Sequence, residues 1–222
     1  MRVAVLSSGG KDSAAAMWWA QCKGWDVVAL VTVLVQGEDS HMFPIPTVDV
    51  VEHQANISEI PWIKVKTSGQ SNEDMVDLYH ALDPLEIDGL VCGALRSDYQ
   101  RTRLERLCHE LEIHSFTPLW HQNAGEHVEQ MVQNGFKIII SGVACEGLGE
   151  DWLGKELDLF SFKELKSLSQ KYRFNIDGEG GEYETLVVGG PHMNGVIELE
   201  MDKVFDGKRG HIRIQKYTQK VH

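Results

Sequence analysis

Seven consecutive residues near the start of the chain, Ser7-Ser8-Gly9-Gly10-Lys11-Asp12-Ser13, carry the types needed to grip an anion. Glycines let the backbone approach a ligand closely. Amides that open a helix point at it with the favourable end of the helix dipole. Lys11 adds positive charge, and Ser8 and Ser13 add hydroxyl donors. Asp12 is no phosphate donor and suits a metal-linked or helix-capping role. The plainer reading is a tight strand-to-helix turn that needs small residues. The segment fits neither G-x-x-x-x-G-K-[ST] nor G-x-G-x-x-G.

Two further segments hold chemistry. Residues 97–103, Ser-Asp-Tyr-Gln-Arg-Thr-Arg, bring amides, a phenol, a carboxamide and guanidinium groups to one helical turn. Such a set can hold a phosphate or carboxylate, or be a well-capped surface helix. Residues 178–185, Gly-Glu-Gly-Gly-Glu-Tyr-Glu-Thr, crowd three carboxylates into a glycine-rich turn. Like charges so close are costly unless a cation or cationic ligand neutralises them. The competing reading is a solvated acidic hairpin turn.

The elements around these segments alternate. Residues 2–6 form a short apolar strand, 7–13 a turn, and 14–23 a helix closed by Gly24. Residues 27–34 form a nearly continuous apolar strand, which argues for a buried parallel sheet with right-handed crossovers. Residues 36–46 read as a loop, 48–57 as a helix, 62–67 as a strand, 73–82 as a helix and 89–93 as a strand. Ser97 and Gln100 have capping-box spacing, and Leu104, Leu107, Cys108 and Leu111 follow at helical intervals. A strand at 115–119, a helix at 128–134 ended by Gly135 and a strand at 136–143 come next. Beyond Ala144 the alternation weakens. A helix at 162–172 precedes three strands, 185–188, 195–201 and 211–217. The chain divides into residues 1–120 and a smaller α+β subdomain, 121–222, with the boundary between 120 and 144.

The whole-chain numbers narrow the function. The formal charge is −12 over 222 residues, which repels nucleic acid unless basic residues cluster. Arg96, Arg101, Arg103 and Arg106 are the one modest cluster. No apolar run reaches membrane-span length, no signal pattern opens the chain, and a cytoplasmic protein is expected. Cys22, Cys92, Cys108 and Cys145 show no CxxC spacing and read as buried reduced thiols, with Cys145 alone near a glycine-rich loop. His109 and His114 are one residue too far apart for HExxH.

Residues 8–13, SGGKDS, resemble the SGGxDS signature of the PP-loop, or N-type ATP pyrophosphatase, superfamily. The resemblance implies a parallel α/β sheet of the adenine nucleotide alpha hydrolase-like (HUP) kind in the first domain. It implies cleavage of ATP to AMP and pyrophosphate with Mg²⁺. By this resemblance Ser8, Gly9, Gly10, Lys11, Asp12, Ser13 and Gly93 bind ATP, and Asp12 also meets Mg²⁺.

A closer resemblance runs through nearly the whole chain. SGGKDS, the G-x-x-x-S-x-YQR-x-R segment at 93–103, PLW at 118–120, WLG at 152–154 and GEGGEYET at 178–185 are similar to motifs of the diphthine–ammonia ligases. That family completes diphthamide on elongation factor 2. The resemblance implies adenylation of the diphthine carboxylate and displacement of AMP by ammonia. Lys11, Asp12, Glu179, Glu182 and Glu184 are then catalytic. Tyr99, Gln100, Arg101, Arg103, Gly180, Gly181, Tyr183 and Thr185 bind the acceptor, with Tyr183 offering a ring face to its trimethylammonium group. The implied partners are elongation factor 2 in its diphthine form and ammonium, and a homodimer is compatible with the sequence. The length matches the short form, without the further C-terminal domains of eukaryotic versions. Asp177 stands where family members often have Cys, and adds a carboxylate beside an acidic turn. A sulfur-transferring tRNA enzyme and a nucleotide-binding module that never cleaves ATP are the competing readings.

Overall fold

A computed structural model describes residues 1–35, 48–68 and 73–221. The loop expected at 36–46 lies outside the described residues. Five short strands build the first sheet: β1 (Arg2–Leu6), β2 (Asp26–Val35), β3 (Trp62–Thr67), β4 (Gly89–Val91) and β5 (His114–Phe116). All pair in parallel, in the order β3-β2-β1-β4-β5. Their Val- and Leu-rich sequences suit strands covered on both faces.

The order reverses between β1 and β4. After β1 the chain winds outward through β2 and β3, then returns to start again at β4 on the other side of β1. In open α/β sheets ligands bind beyond the strand C-termini at such a reversal. The connecting helices divide accordingly. Helices α1 (Lys11–Cys22) and α2 (Val48–Ser58) share a hydrophobic core with Val3, Val5 and Leu30. Helices α3 (Glu73–Leu82) and α4 (Asp98–Glu110) cover the opposite face, packing Leu78, Leu82, Leu104 and Leu107 against Ala4, Val31 and Leu90.

The second half is built differently. Helix α5 (Glu126–Gln133) leads to β6 (Lys137–Val143), and α6 (Leu159–Tyr172) precedes β7 (Tyr183–Gly189), β8 (Gly195–Phe205) and β9 (Gly210–Val221). These four strands pair antiparallel and close into a small barrel, with β9 returning to β6. Ile138, Ile140, Leu186 and Val187 of the barrel join the same buried cluster as Val3, Val5 and the alanines of α1. The two halves therefore share one core.

Differences from the sequence reading are local. The last two strands extend beyond 195–201 and 211–217 because β8 and β9 continue as a paired, largely exposed ribbon where burial no longer marks alternation. The strand expected at 115–119 stops at Phe116 and gives way to a turn. Helix α6 begins at Leu159 because Asp158 and Ser161 form a reciprocal capping box. Cys22 is exposed, not buried, because it lies in the last turn of α1. No helix among the described residues is long and apolar enough to cross a membrane.

A candidate nucleotide site where two signatures meet

The turn after β1 lies at the sheet's reversal point. Gly9 adopts φ +81, a left-handed conformation that favours glycine. Gly10 is the N-cap of α1 and carries no side-chain cap; the Lys11 amide turns to Thr185, which leaves the amides of Asp12 and Ser13 to face an anion. Gly93 follows β4. A Cβ there would lie 2.5 Å from the backbone carbon and oxygen of Asp12, so only glycine lets α1 approach so closely.

The C-terminal signature builds the other wall. The Lys11 amide donates to Thr185 Oγ1 at 3.1 Å. The Val187 amide donates to the Gly9 carbonyl at 3.0 Å. Gln54 Nε2 spans both, donating to Gly9 O at 3.1 Å and Val187 O at 2.7 Å. Strand β7, which continues the GEGGEYET segment, thus docks along the phosphate-type loop, although the two are over 170 residues apart in sequence.

Charge is organised around Asp12. Its Oδ2 accepts from Lys11 Nζ at 2.8 Å and its Oδ1 lies 2.8 Å from His127 Nε2. Burial alone would raise its pKa. The His127 hydrogen bond and the charge of Lys11 outweigh that and hold it below the usual carboxylate range. Lys11 is buried, its ammonium 5.8 Å from the centre of the Tyr183 ring. Tyr183 is itself buried and donates to Ile176 O at 2.6 Å. Burial, then Asp12, pushes its phenol well above the ordinary range, so it stays protonated.

The acidic turn is largely neutralised from within. Glu182 accepts the amides of Asn175 at 3.0 Å and Gly180 at 2.8 Å through separate oxygens. Asp177 points inward and is fully buried, paired with Arg96 Nη1 at 2.8 Å and accepting the Gly125 amide. It does not add a carboxylate to the surface of the turn, as its sequence position suggested. Glu179 and Glu184 stay exposed. Desolvation raises both carboxyls; Asp12 adds to the rise in each, and Lys11 opposes it. Gly180 and Gly181 form the tip of the turn, Gly181 at φ +79.

The helix-α4 residues sit apart. Tyr99 and Gln100 are exposed. Arg101 pairs with Glu105 and lies 4.8 Å from the Trp120 ring. Arg103 pairs with Asp74 of α3 and stacks near Tyr99. These contacts run to α3, to their own helix and to Trp120, none to the phosphate-type loop. Ser8 is exposed at the loop's mouth, and Ser13 Oγ donates to Gly10 O at 3.0 Å. Among the described residues no group of three His, Cys, Asp or Glu side chains is placed to hold a metal ion. A divalent ion would fit here as one carried by substrate phosphates with Asp12 as its protein ligand. Sequence reasoning missed Gln54, Arg96 as a partner of Asp177, and His127. Nothing local marks them, since each acts on residues 26 or more positions away.

A glycine-bearing loop at the reversal point of a parallel sheet, walled by a strand from a second half, defines the PP-loop class of α/β nucleotide-using proteins. Within that class the matches are specific. Residues 1–115 match the family described as diphthamide synthase N-terminal domain, and residues 123–220 match its C-terminal domain. The chain belongs to the diphthamide synthase family. It is 32% identical over 227 residues to the diphthine–ammonia ligase of Bos taurus, covering 92% of this chain and 85% of that protein. Identity to the Homo sapiens enzyme of the same name is 31%, with the same coverage. Against the Schizosaccharomyces pombe relative it is 32%, covering 96% of this chain but 38% of that one. Further length is thus a feature of the yeast protein and not of eukaryotic relatives in general.

Proposed function

We infer that this chain is a diphthine–ammonia ligase, using ATP to convert the carboxylate of diphthine to the amide of diphthamide. The observation that carries the reading is the docking of the GEGGEYET strand onto the SGGKDS loop. One site thereby joins a phosphate cradle to an acidic turn suited to a cationic acceptor.

The chemistry divides between the walls. A carboxylate oxygen of the acceptor attacks the α-phosphorus of ATP and pyrophosphate leaves. Ammonia then attacks the acyl carbon, AMP departs, and the nitrogen sheds a proton. The amides of Asp12 and Ser13 and the Lys11 ammonium are the donors that would hold phosphate charge and stabilise what develops on pyrophosphate. Asp12 is the residue for Mg²⁺ if the ion arrives with ATP, where it would screen charge on the phosphates. Glu179 and Glu184, exposed at the mouth and raised in pKa, are the carboxylates available to attract ammonium and trimethylammonium and to take the proton. Glu182 is committed to the turn's own amides and supports the site by shaping it. We propose elongation factor 2 as the protein bearing diphthine and the cytoplasm as the place of action.

The test is AMP release from ATP and ammonium, with and without elongation factor 2 carrying diphthine. AMP formed only with that protein, alongside loss of its free carboxylate, is the expected result. AMP that is absent, or indifferent to that protein, would send the search to another acceptor.

A further inference from the structure

His127 is buried at the start of α5, its side chain 3% exposed. Nε2 faces Asp12 Oδ1 at 2.8 Å. Asp12 is held ionised and can only accept, so Nε2 carries the hydrogen. The other ring nitrogen, Nδ1, has no hydrogen-bond partner, although it is buried. An orphaned buried polar atom costs about 1–3 kcal/mol.

What faces that nitrogen is Asp177, with Oδ1 at 3.6 Å. Asp177 is fixed three ways. Arg96 Nη1 pairs with its Oδ2 at 2.8 Å, the Gly125 amide donates to its Oδ1, and its own amide donates to Asn175 Oδ1 at 3.0 Å. Arg96 is held in turn by Gln122 O at 2.7 Å. Arg96 and Asp177 thus form a braced pair beside the ring, with Asp177 Oδ1 beyond hydrogen-bond distance of Nδ1. The one bond that holds the Asp12 carboxylate from this side is that of His127 Nε2. Asp12 needs such a hold, because Lys11 alone would draw its carboxylate toward one side.

We propose that His127 is a positioning residue for ATP cleavage, fixing the Asp12 carboxylate through the Nε2–H to Oδ1 hydrogen bond. The inference rests on the ligase reading above and deepens it. His127 touches no reacting atom. Its effect is on how well Asp12 is aimed, and small misplacements of a catalytic group cost large factors in rate.

The experiment compares full-length wild type, His127→Ala and His127→Gln in AMP formation with ATP, ammonium and diphthine-bearing elongation factor 2, with thermal unfolding of each. His127→Ala is expected to lose about 30-fold in kcat with KM for ATP within about threefold. His127→Gln restores a donor near the Nε2 position and is expected to regain most of that loss, at a melting temperature no higher than that of the alanine variant. Wild-type kcat in His127→Ala overturns the proposal. So does a loss carried wholly by KM, or a folded glutamine variant no better than alanine. Wild type that forms no AMP overturns the ligase reading itself, and this inference with it; wild-type activity beside an equally active His127→Ala overturns only the inference.

Discussion

Gly93 lets the end of β4 touch the first turn of α1, with a would-be Cβ only 2.5 Å from the Asp12 backbone. Gly93→Ala must push α1 away and is expected to cost about 1–3 kcal/mol in denaturant unfolding. ATP-dependent AMP formation should fall further than stability, because the displaced atoms belong to Asp12. A variant of normal stability and activity would mean the loop tolerates that shift. Cys145 points the other way. Burial, then Glu182, pushes its thiol up to about 11, so little thiolate exists at neutral pH. A sulfur-transfer role needs that thiolate. Cys145→Ser is expected to keep AMP formation within about twofold of wild type, and the native thiol to alkylate slowly with iodoacetamide. Loss of activity in the serine variant would revive the sulfur-transfer reading.

At the scale of elements, the acidic turn before β7 is held by carboxylates that sequence alone reads as mutually repelling. Glu182 bonds two backbone amides of its own turn. Glu182→Gln would replace one of those acceptor oxygens by the carboxamide –NH2, a donor facing an N–H, at a cost of about 1–3 kcal/mol. Faster hydrogen exchange at Asn175 and Gly180 should accompany a lower urea midpoint; unchanged exchange would show that the carboxylate does not brace the turn. The parallel strands, α1 and the glycine loop were legible because burial on both faces and helix-start chemistry leave continuous local patterns in residues 2–35. The GEGGEYET segment was legible as chemistry. Its partner was not, since Thr185 meets Lys11 only through the fold. His127 was hidden for the same reason. It sits among polar residues at a helix start, and what distinguishes it is a carboxylate 115 positions away. The ends of β8 and β9 were missed because a solvated ribbon needs no apolar alternation to pair.

For the whole molecule, the shared core makes stability and site inseparable. His192 lies buried between the halves, its ring stacked on Phe136 at 4.9 Å and its carbonyl accepting from Gln21 of α1. Desolvation lowers its pKa from 6.5 to about 3. The unfolded chain therefore binds a proton that the folded chain refuses between those values. This contribution is complete above the unfolded pKa and is lost as pH falls, by about 3 kcal/mol at pH 4. Asp158 and Asp206, whose carboxyls are held low by hydrogen bonds, lose stability in the same direction. Unfolding free energy measured from pH 7 to pH 4 should fall less steeply in His192→Phe than in wild type. Parallel slopes would mean the ring is charged or solvated in the folded chain.

The docking of β7 on the nucleotide loop also sets a timetable. Gly9 and Lys11 are made more than 170 residues before Thr185 and Val187, which brace them. While the chain is still leaving the ribosome, the loop has no wall, and the shared core lacks its barrel half. The capacity to split ATP thus arrives only once β7 has been made, so a chain stopped short of that strand spends no nucleotide.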